Sequence, residues 1–199
     1  DNVQYKKNEF QNRNKIKINN GVQWLTVPVR YKFPQKINEV TVNNNFPWQR
    51  KHIQALRTNY SKAPYFKHYF SFFAEILQQK WYKLSNLNSH AVKQICQLLH
   101  FNIDFYNASE FDITENDPNK RLIEICKQLK ADTYLSGKGG INYLDMNLFI
   151  NADIAVKFQE FEHPIYEQLF GAFVKNLSIV DLIFNCGEKS PDLIRQNKI

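Results

Sequence analysis

The chain has no run approaching the roughly 20 consecutive apolar residues that a membrane span requires, and mixed polar and apolar residues alternate throughout. Its first residues, Asp1-Asn2-Val3-Gln4-Tyr5, carry neither the basic start nor the apolar run of a secretory leader. Cysteine is scarce: Cys96, Cys126 and Cys186 lie far apart, show no C-x-x-C spacing, and each falls in an apolar helical pattern. Such cysteines behave as small buried hydrophobes, so reduced thiols in a cytoplasmic protein are expected rather than a disulfide framework. The 5 histidines include no H-x-x-x-H pair and no Cys/His pairing, and no metal is expected. Glycine numbers only 6. The cluster it forms matches neither a phosphate-binding P-loop nor a dinucleotide fingerprint, since Asn142 stands where the last glycine of the fingerprint belongs. Repeats and low-complexity segments are absent.

What the chain does contain is material for a substantial core. With 199 residues, 43% hydrophobic and 15% aromatic, a single α/β domain over residues 1–199 is the expectation. The net charge of +7 comes from lysines scattered among acids rather than massed on one segment, which disfavours nucleic acid as a partner. A diffuse positive field instead suits a small phosphate-bearing ligand, such as a nucleotide or a nucleotide-linked sugar.

Three glycines crowd into Leu135-Ser136-Gly137-Lys138-Gly139-Gly140, after an expected strand from Ala131 to Leu135. Glycines there allow positive φ and let bare N–H groups approach a ligand, although a tight turn without a ligand has the same composition. Upstream, Gln23 to Val29 and Ile37 to Val42 read as strands, and Pro47 opens a helix carrying Trp48, Ile53, Leu56 and Tyr60. Helical patterns from Tyr65 to Tyr82 and from Asn88 to His100 predict a helical hairpin packed on a sheet. Ile103 to Tyr106 reads as a strand, and Asp117-Pro118 is an N-cap followed by a first-turn proline. Strand, helix and strand in this order predict a βαβ unit in a mostly parallel sheet flanked by helices. Tyr143 to Phe149 reads as helix, Ala152 to Phe158 as strand, and Leu177 to Phe184 as a last apolar helix stopped by Gly187.

Asp181 interrupts that last apolar run. A carboxylate there is either a structural anchor or a substrate contact and general base. His52, after a basic pair, and His163, fixed by Pro164, are the two candidate bases, each with a structural reading beside the functional one. Ser136 offers a hydroxyl to the loop or to a ligand. Asp1, Gln4 and Tyr5, followed by Asn12-Arg13-Asn14, place polar groups ahead of the first expected strand, where Arg13 can grip a carboxylate or phosphate with two N–H groups.

These residues resemble the WbqC-like proteins. The likeness is carried by Asp1-x-Val3-Gln4-Tyr5, Asn12-Arg13-Asn14, Trp24 to Val29, Trp48 to His52, Ala63-Pro64-Tyr65-Phe66, Leu135 to Asp145, His163-Pro164-x-Tyr166 and Leu177 to Leu182. The resemblance implies an α/β fold with nucleotidyltransferase-like features and a place in gene clusters for O-antigen and other surface polysaccharides. It implies transfer of a small acyl or aminoacyl group, glycine among them, to an amino sugar. The rival expectation is a non-catalytic module binding a sugar-nucleotide or a protein in the same assembly pathway. Catalytic roles are expected of His52, His163 and Asp181, and ligand contacts of Asp1, Gln4, Tyr5, Asn12, Arg13, Ser136, Gly137, Gly139, Gly140 and Tyr143. The family usually begins with a further strand and a Gln-Pro-rich turn, so a chain truncated at its N-terminus is expected. Phe10 stands where the family often has Trp.

Overall fold

The computed structural model describes residues 1–196, and the chain is a mixed α/β protein that divides into two compact units. The larger comprises Asp1–Phe105 and His163–Gln196, and the smaller Tyr106–Glu162. No helix of the described residues is long and apolar enough to cross a membrane.

In the larger unit, β1 (Arg13–Ile18) and β2 (Gly21–Thr26) form an antiparallel hairpin in which Ile18 pairs with Gly21 across Asn19-Asn20. So short a connection permits only antiparallel pairing, and Gly21, at φ 128°, takes the backbone geometry the turn demands. Two short strands, β3 (Val29–Arg30) and β4 (Thr41–Val42), pair antiparallel beside it. Helices α1 (Trp48–Tyr60), α2 (Phe66–Gln78) and α3 (Leu84–Leu98) follow. The returning segment adds α6 (Ile179–Cys186) and α7 (Ser190–Arg195). One core gathers Ile16, Leu56, Tyr60, Phe66, Phe73 and Phe184, and a second gathers Tyr5, Val40, Trp48, Trp81 and Leu84.

The smaller unit holds α4 (Pro118–Gln128), β5 (Thr133–Ser136), α5 (Met146–Ile150) and β6 (Ala155–Phe158). Asp117 caps α4 by accepting from the backbone N–H groups of Asn119 and Lys120, both at 2.9 Å. Strands β5 and β6 run parallel, from Thr133 against Ala155 to Ser136 against Phe158. Its core is Ile123, Cys126, Phe149 and Ile154.

The mostly parallel sheet expected from the sequence is replaced, among the described residues, by three two-stranded ladders of which only β5·β6 is parallel. Ile103 to Tyr106, the expected first strand of the βαβ unit, forms no strand: Ile103 and Tyr106 are exposed, so the run lacks a buried face to hold it in a ladder. Parallel pairing runs between β5 and β6 instead, across a connection whose helix, α5, has 5 residues. The expected helical hairpin is present as α2 and α3, with its break earlier than the apolar pattern suggested. Trp81 donates its indole N–H to the Ile76 carbonyl at 2.9 Å, and the Val42 N–H reaches the Tyr82 carbonyl at 2.9 Å. Residues 81–84 are thereby drawn into pairing with β4 rather than continuing the helix, a tertiary override of helix propensity.

Candidate functional site

The larger unit contains a cavity of about 240 Å³ between the hairpin, the faces of α1, α2 and α3, and the start of α6. Its floor is apolar, with Ile16, Leu25, Leu56, Phe73 and Leu87 among the lining side chains, and its polar wall includes Asn12, Arg13, His52, Asn88 and Ser178. An apolar cavity with a few convergent polar groups is the usual form of a small-molecule site.

Strand β1 brings the first group into place. Asn12 clasps Val27 twice, its carbonyl accepting from the Val27 N–H at 2.8 Å and its side-chain amide donating to the Val27 carbonyl at 2.9 Å. Fixed by that clasp, Arg13 lays its guanidinium over the ring of Trp24, 4.1 Å from the centroid, and Nη2 donates to the Asn8 carbonyl. Phe10 packs on the same indole at 5.4 Å. Arg13 Nε is buried without a hydrogen-bond partner. A buried N–H with no acceptor is costly, and in native structures it marks strain or an absent partner. Asn88, on the α3 side, donates to the Gln11 carbonyl at 2.8 Å. No acidic side chain is among the described residues lining the cavity, so Arg13 gives it a positive sign.

His52 is 7% exposed and packs edge-on against Trp48 at 5.3 Å. Its Nε2 lies 3.1 Å from the Thr26 carbonyl, which can only accept, so Nε2 carries the proton and Nδ1 is the basic nitrogen of the neutral ring. Burial lowers the His52 pKa below the ordinary histidine range, and the hydrogen bond to Thr26 offsets this only in part. The imidazole is therefore neutral at physiological pH.

Beyond the cavity wall, one residue along β1 from Ile16 and one along α6 from Val180, lies a buried polar cluster. Asp181 is fully buried, and Oδ1 and Oδ2 accept from the hydroxyls of Tyr60 at 2.8 Å and Tyr166 at 2.9 Å. The Tyr60 oxygen in turn accepts from the Lys17 N–H at 3.0 Å. The Lys17 ammonium, also buried, donates to the Ala172 carbonyl at 2.6 Å and to Gln168 Oε1 at 3.2 Å. Burial raises the Asp181 pKa above the ordinary carboxylate range, against the opposing pull of Tyr60, Tyr166, Lys17 and Gln168. Burial and the Asp181 charge raise both tyrosines.

Of the three residues with expected catalytic roles, only His52 lines the cavity; Asp181 is one residue removed from its wall, and His163 lies outside it. His163 Nδ1 is 2.8 Å from the Pro164 carbonyl, and its ring packs against Phe173 at 5.5 Å. Asn12 and Arg13 line the cavity, whereas Tyr5 is buried in the second core, edge-on to Tyr31 at 4.7 Å. Gln4 forms a bridge with Lys36, and the Asp1 carbonyl accepts from the Asn38 N–H at 3.0 Å. Asn88, Ser178, Trp24 and Lys17 were not singled out in the sequence. Trp24 and Ser178 lie within stretches that carry the family likeness, and for Lys17 the signal is the alternation of Arg13-Asn14-Lys15-Ile16-Lys17-Ile18 ahead of Asn19-Asn20-Gly21, as in a hairpin strand.

The glycine loop belongs to the smaller unit and departs from expectation. Its residues Lys138–Asn142 form a 3-10 turn, and none of its glycines has positive φ; Gly137 has φ −66° and ψ 161°. Close packing explains Gly140, where a Cβ would collide with the Ser136 side chain. A Cβ on Gly137 or Gly139 would meet nothing within 4 Å. Ser136 is buried and donates to the Gly137 carbonyl at 3.1 Å. Asn119 steadies the following segment by accepting from the Asp145 N–H at 3.0 Å and donating to the Tyr143 carbonyl at 3.3 Å, while the Tyr143 ring is exposed.

Among the described residues no group of three or more His, Cys, Asp or Glu side chains could hold a metal ion. The cysteines are free, and burial raises all three thiols, Cys186 to about 11, so they are protonated at neutral pH.

The chain is a mixed α/β protein whose larger unit holds an apolar cavity with a guanidinium and a neutral imidazole at its wall. The particular family is shown by comparison: the chain belongs to the WbqC-like protein family, whose model matches residues 1–193. A relative in Mycobacterium tuberculosis (strain ATCC 25618 / H37Rv), the uncharacterized protein Rv1507c, is 35% identical over 199 residues, covering 98% of this chain and 85% of the relative. No solved structure matches.

Proposed function

We propose that the chain transfers a small acyl or aminoacyl group, glycine among the candidates, to an amino sugar in the synthesis of O-antigen or another surface polysaccharide, in the cytoplasm. The observation that carries this reading is Arg13, whose buried Nε–H is without an acceptor at the wall of an apolar cavity that also presents a neutral imidazole. In this reading ATP activates the acid of one reactant as an acyl phosphate or acyl adenylate whose anionic group accepts from Arg13. The sugar amine forms the new C–N bond and gives its proton to His52 Nδ1, while the acyl C–O bond breaks and phosphate or AMP leaves. Asp181 acts through position, holding Tyr60 and the start of α6 so that the cavity wall keeps its shape. His163 serves the same segment through its packing on Phe173. In the smaller unit, the open space above Gly137 and Gly139 suits close approach of a phosphate-bearing ligand, a nucleotide or nucleotide-linked sugar, with Ser136, Gly140 and Tyr143 shaping that loop. The nucleotidyltransferase-like character of the fold rests on family analogy alone and carries no step.

The test is incubation of the protein with candidate nucleotide-sugars, glycine and ATP, read by mass. An adduct of sugar and acyl group that Arg13→Gln diminishes supports the reading, and no adduct in any pairing removes it. A second reading, a non-catalytic sugar-nucleotide or protein-binding module, is favoured by the lack of any carboxylate among the described residues lining the cavity. It predicts saturable binding with no new covalent product.

A further inference from the structure

The cavity's chemistry is more restrictive than the reading it supports. Its floor is built from Leu, Ile, Val and Phe side chains, with no acidic group among the described lining residues and Arg13 as the charged group at the wall. A sugar ring placed on that floor would lose the water bound to several hydroxyls with few partners to replace it. Glycine, with a single methylene, would leave most of the apolar wall uncovered. An alkyl or acyl chain covers that wall and releases the water over it.

The polar end is equally specific. Arg13 is held flat against Trp24, one of its terminal nitrogens donates to the Asn8 carbonyl, and Nε is left buried and unpaired. Stacked in this way, the guanidinium is oriented before any ligand arrives, and the donor it lacks a partner for suits a planar or tetrahedral oxyacid. Asn88 and Ser178 add uncharged polar groups to the wall, and neither repels an anion.

We infer that the cavity under the β1·β2 hairpin is an amphiphile site, which takes a short acyl or alkyl chain on the floor formed by Leu56, Phe73 and Leu87 and its anionic head, carboxylate or phosphate, at Arg13. This rests on the reading that the cavity holds the transferred group, and it makes that group a short acyl chain, of about eight carbons, rather than glycine.

Titration with octanoate, octyl phosphate, octanol, butyrate, glycine and inorganic phosphate, followed by calorimetry and tryptophan fluorescence, tests it. Octanoate or octyl phosphate is expected to bind at least about tenfold more tightly than octanol, butyrate, glycine or phosphate, and the tighter of the two identifies the head. Arg13→Gln should erase the preference of acid over alcohol. Ala91→Phe, which fills the cavity from α3, should abolish binding of both. If that variant fails to fold by circular dichroism, Ala91→Leu fills less and should weaken every eight-carbon ligand. Equal binding of octanol and octanoate, binding of glycine as tight as either amphiphile, or no binding at all overturns the inference. Glycine transfer without amphiphile binding would overturn it and leave the transfer reading standing. Amphiphile binding without any transfer would do the reverse.

Discussion

Tyr60 carries a hydroxyl that no neighbour could replace. It donates to Asp181 Oδ1 and accepts from the Lys17 N–H in a place where both partners are buried. Tyr60→Phe keeps the ring contact with Phe184, 5.3 Å between centroids, and removes both hydrogen bonds. The variant should lose about 2–4 kcal/mol of stability, the order expected when two buried polar groups are left unsatisfied, measured by urea denaturation with the slope checked for constancy. A loss within experimental error of zero would mean that water reaches the cluster. His52 supplies the pH test. Its folded pKa lies below its unfolded one, so the unfolded chain binds the extra proton first. Stability is lost as pH falls through the unfolded value near 6.5 toward the folded one and is fully present above it. His52→Gln, whose amide can still donate to the Thr26 carbonyl, should flatten the difference in urea midpoint between pH 8 and pH 5. Parallel profiles for the two proteins would refute the assignment of a buried neutral ring.

At the scale of elements, the glycines separate packing from ligand approach. Gly187 ends α6 at φ 53° with the Tyr65 ring packed where a Cβ would stand, so Gly187→Ala meets both backbone strain and collision. It should cost more than about 1 kcal/mol, whereas Gly137→Ala and Gly139→Ala, with open space above them, should stay within about 0.5 kcal/mol of wild type. Thermal unfolding of the three variants decides this. A stability loss at Gly139 equal to that at Gly187 would remove the case for ligand approach at the loop. The same distinction marks what could be read from the sequence. Asp117-Pro118 announces the start of α4 because an N-cap is a local event, and Gly187 announces the end of α6 for the same reason. The break between α2 and α3 is not local. It depends on the β4 edge some forty residues earlier, which no helical periodicity reveals. Strand β1 is not among the expected strands, the first of which starts at Gln23: its polar start reads as loop, although the alternation ahead of Asn19-Asn20-Gly21 is that of a hairpin strand. Arg13 and His52 could be named because their chemistry is visible in their type. The apolar floor was legible only as core, because a helix face that lines a cavity has the same periodicity as one that packs solidly.

For the whole molecule, the two compact units have cores of different depth. The larger holds two buried clusters rich in aromatic rings, and the smaller rests on Ile123, Cys126, Phe149 and Ile154 with partly buried neighbours. Small units bury a smaller share of their surface, so the Tyr106–Glu162 unit is expected to unfold at the lower urea concentration. All three tryptophans, Trp24, Trp48 and Trp81, lie in the larger unit. Tryptophan fluorescence therefore reports on that unit alone, while far-ultraviolet circular dichroism also registers α4 and α5 in the smaller one. In a urea titration the dichroism should begin to fall at a lower concentration than the fluorescence, and the two curves should fail to superimpose. Ile123→Ala, which opens the smaller core, should move the early dichroism change further down and leave the fluorescence midpoint where it was. Superimposed curves that shift together in this variant would mean that the two units unfold as one body. If octanoate binds only the folded larger unit, it raises that unit's midpoint alone. Fluorescence and dichroism would then move further apart, which links the amphiphile site to the unit that carries it.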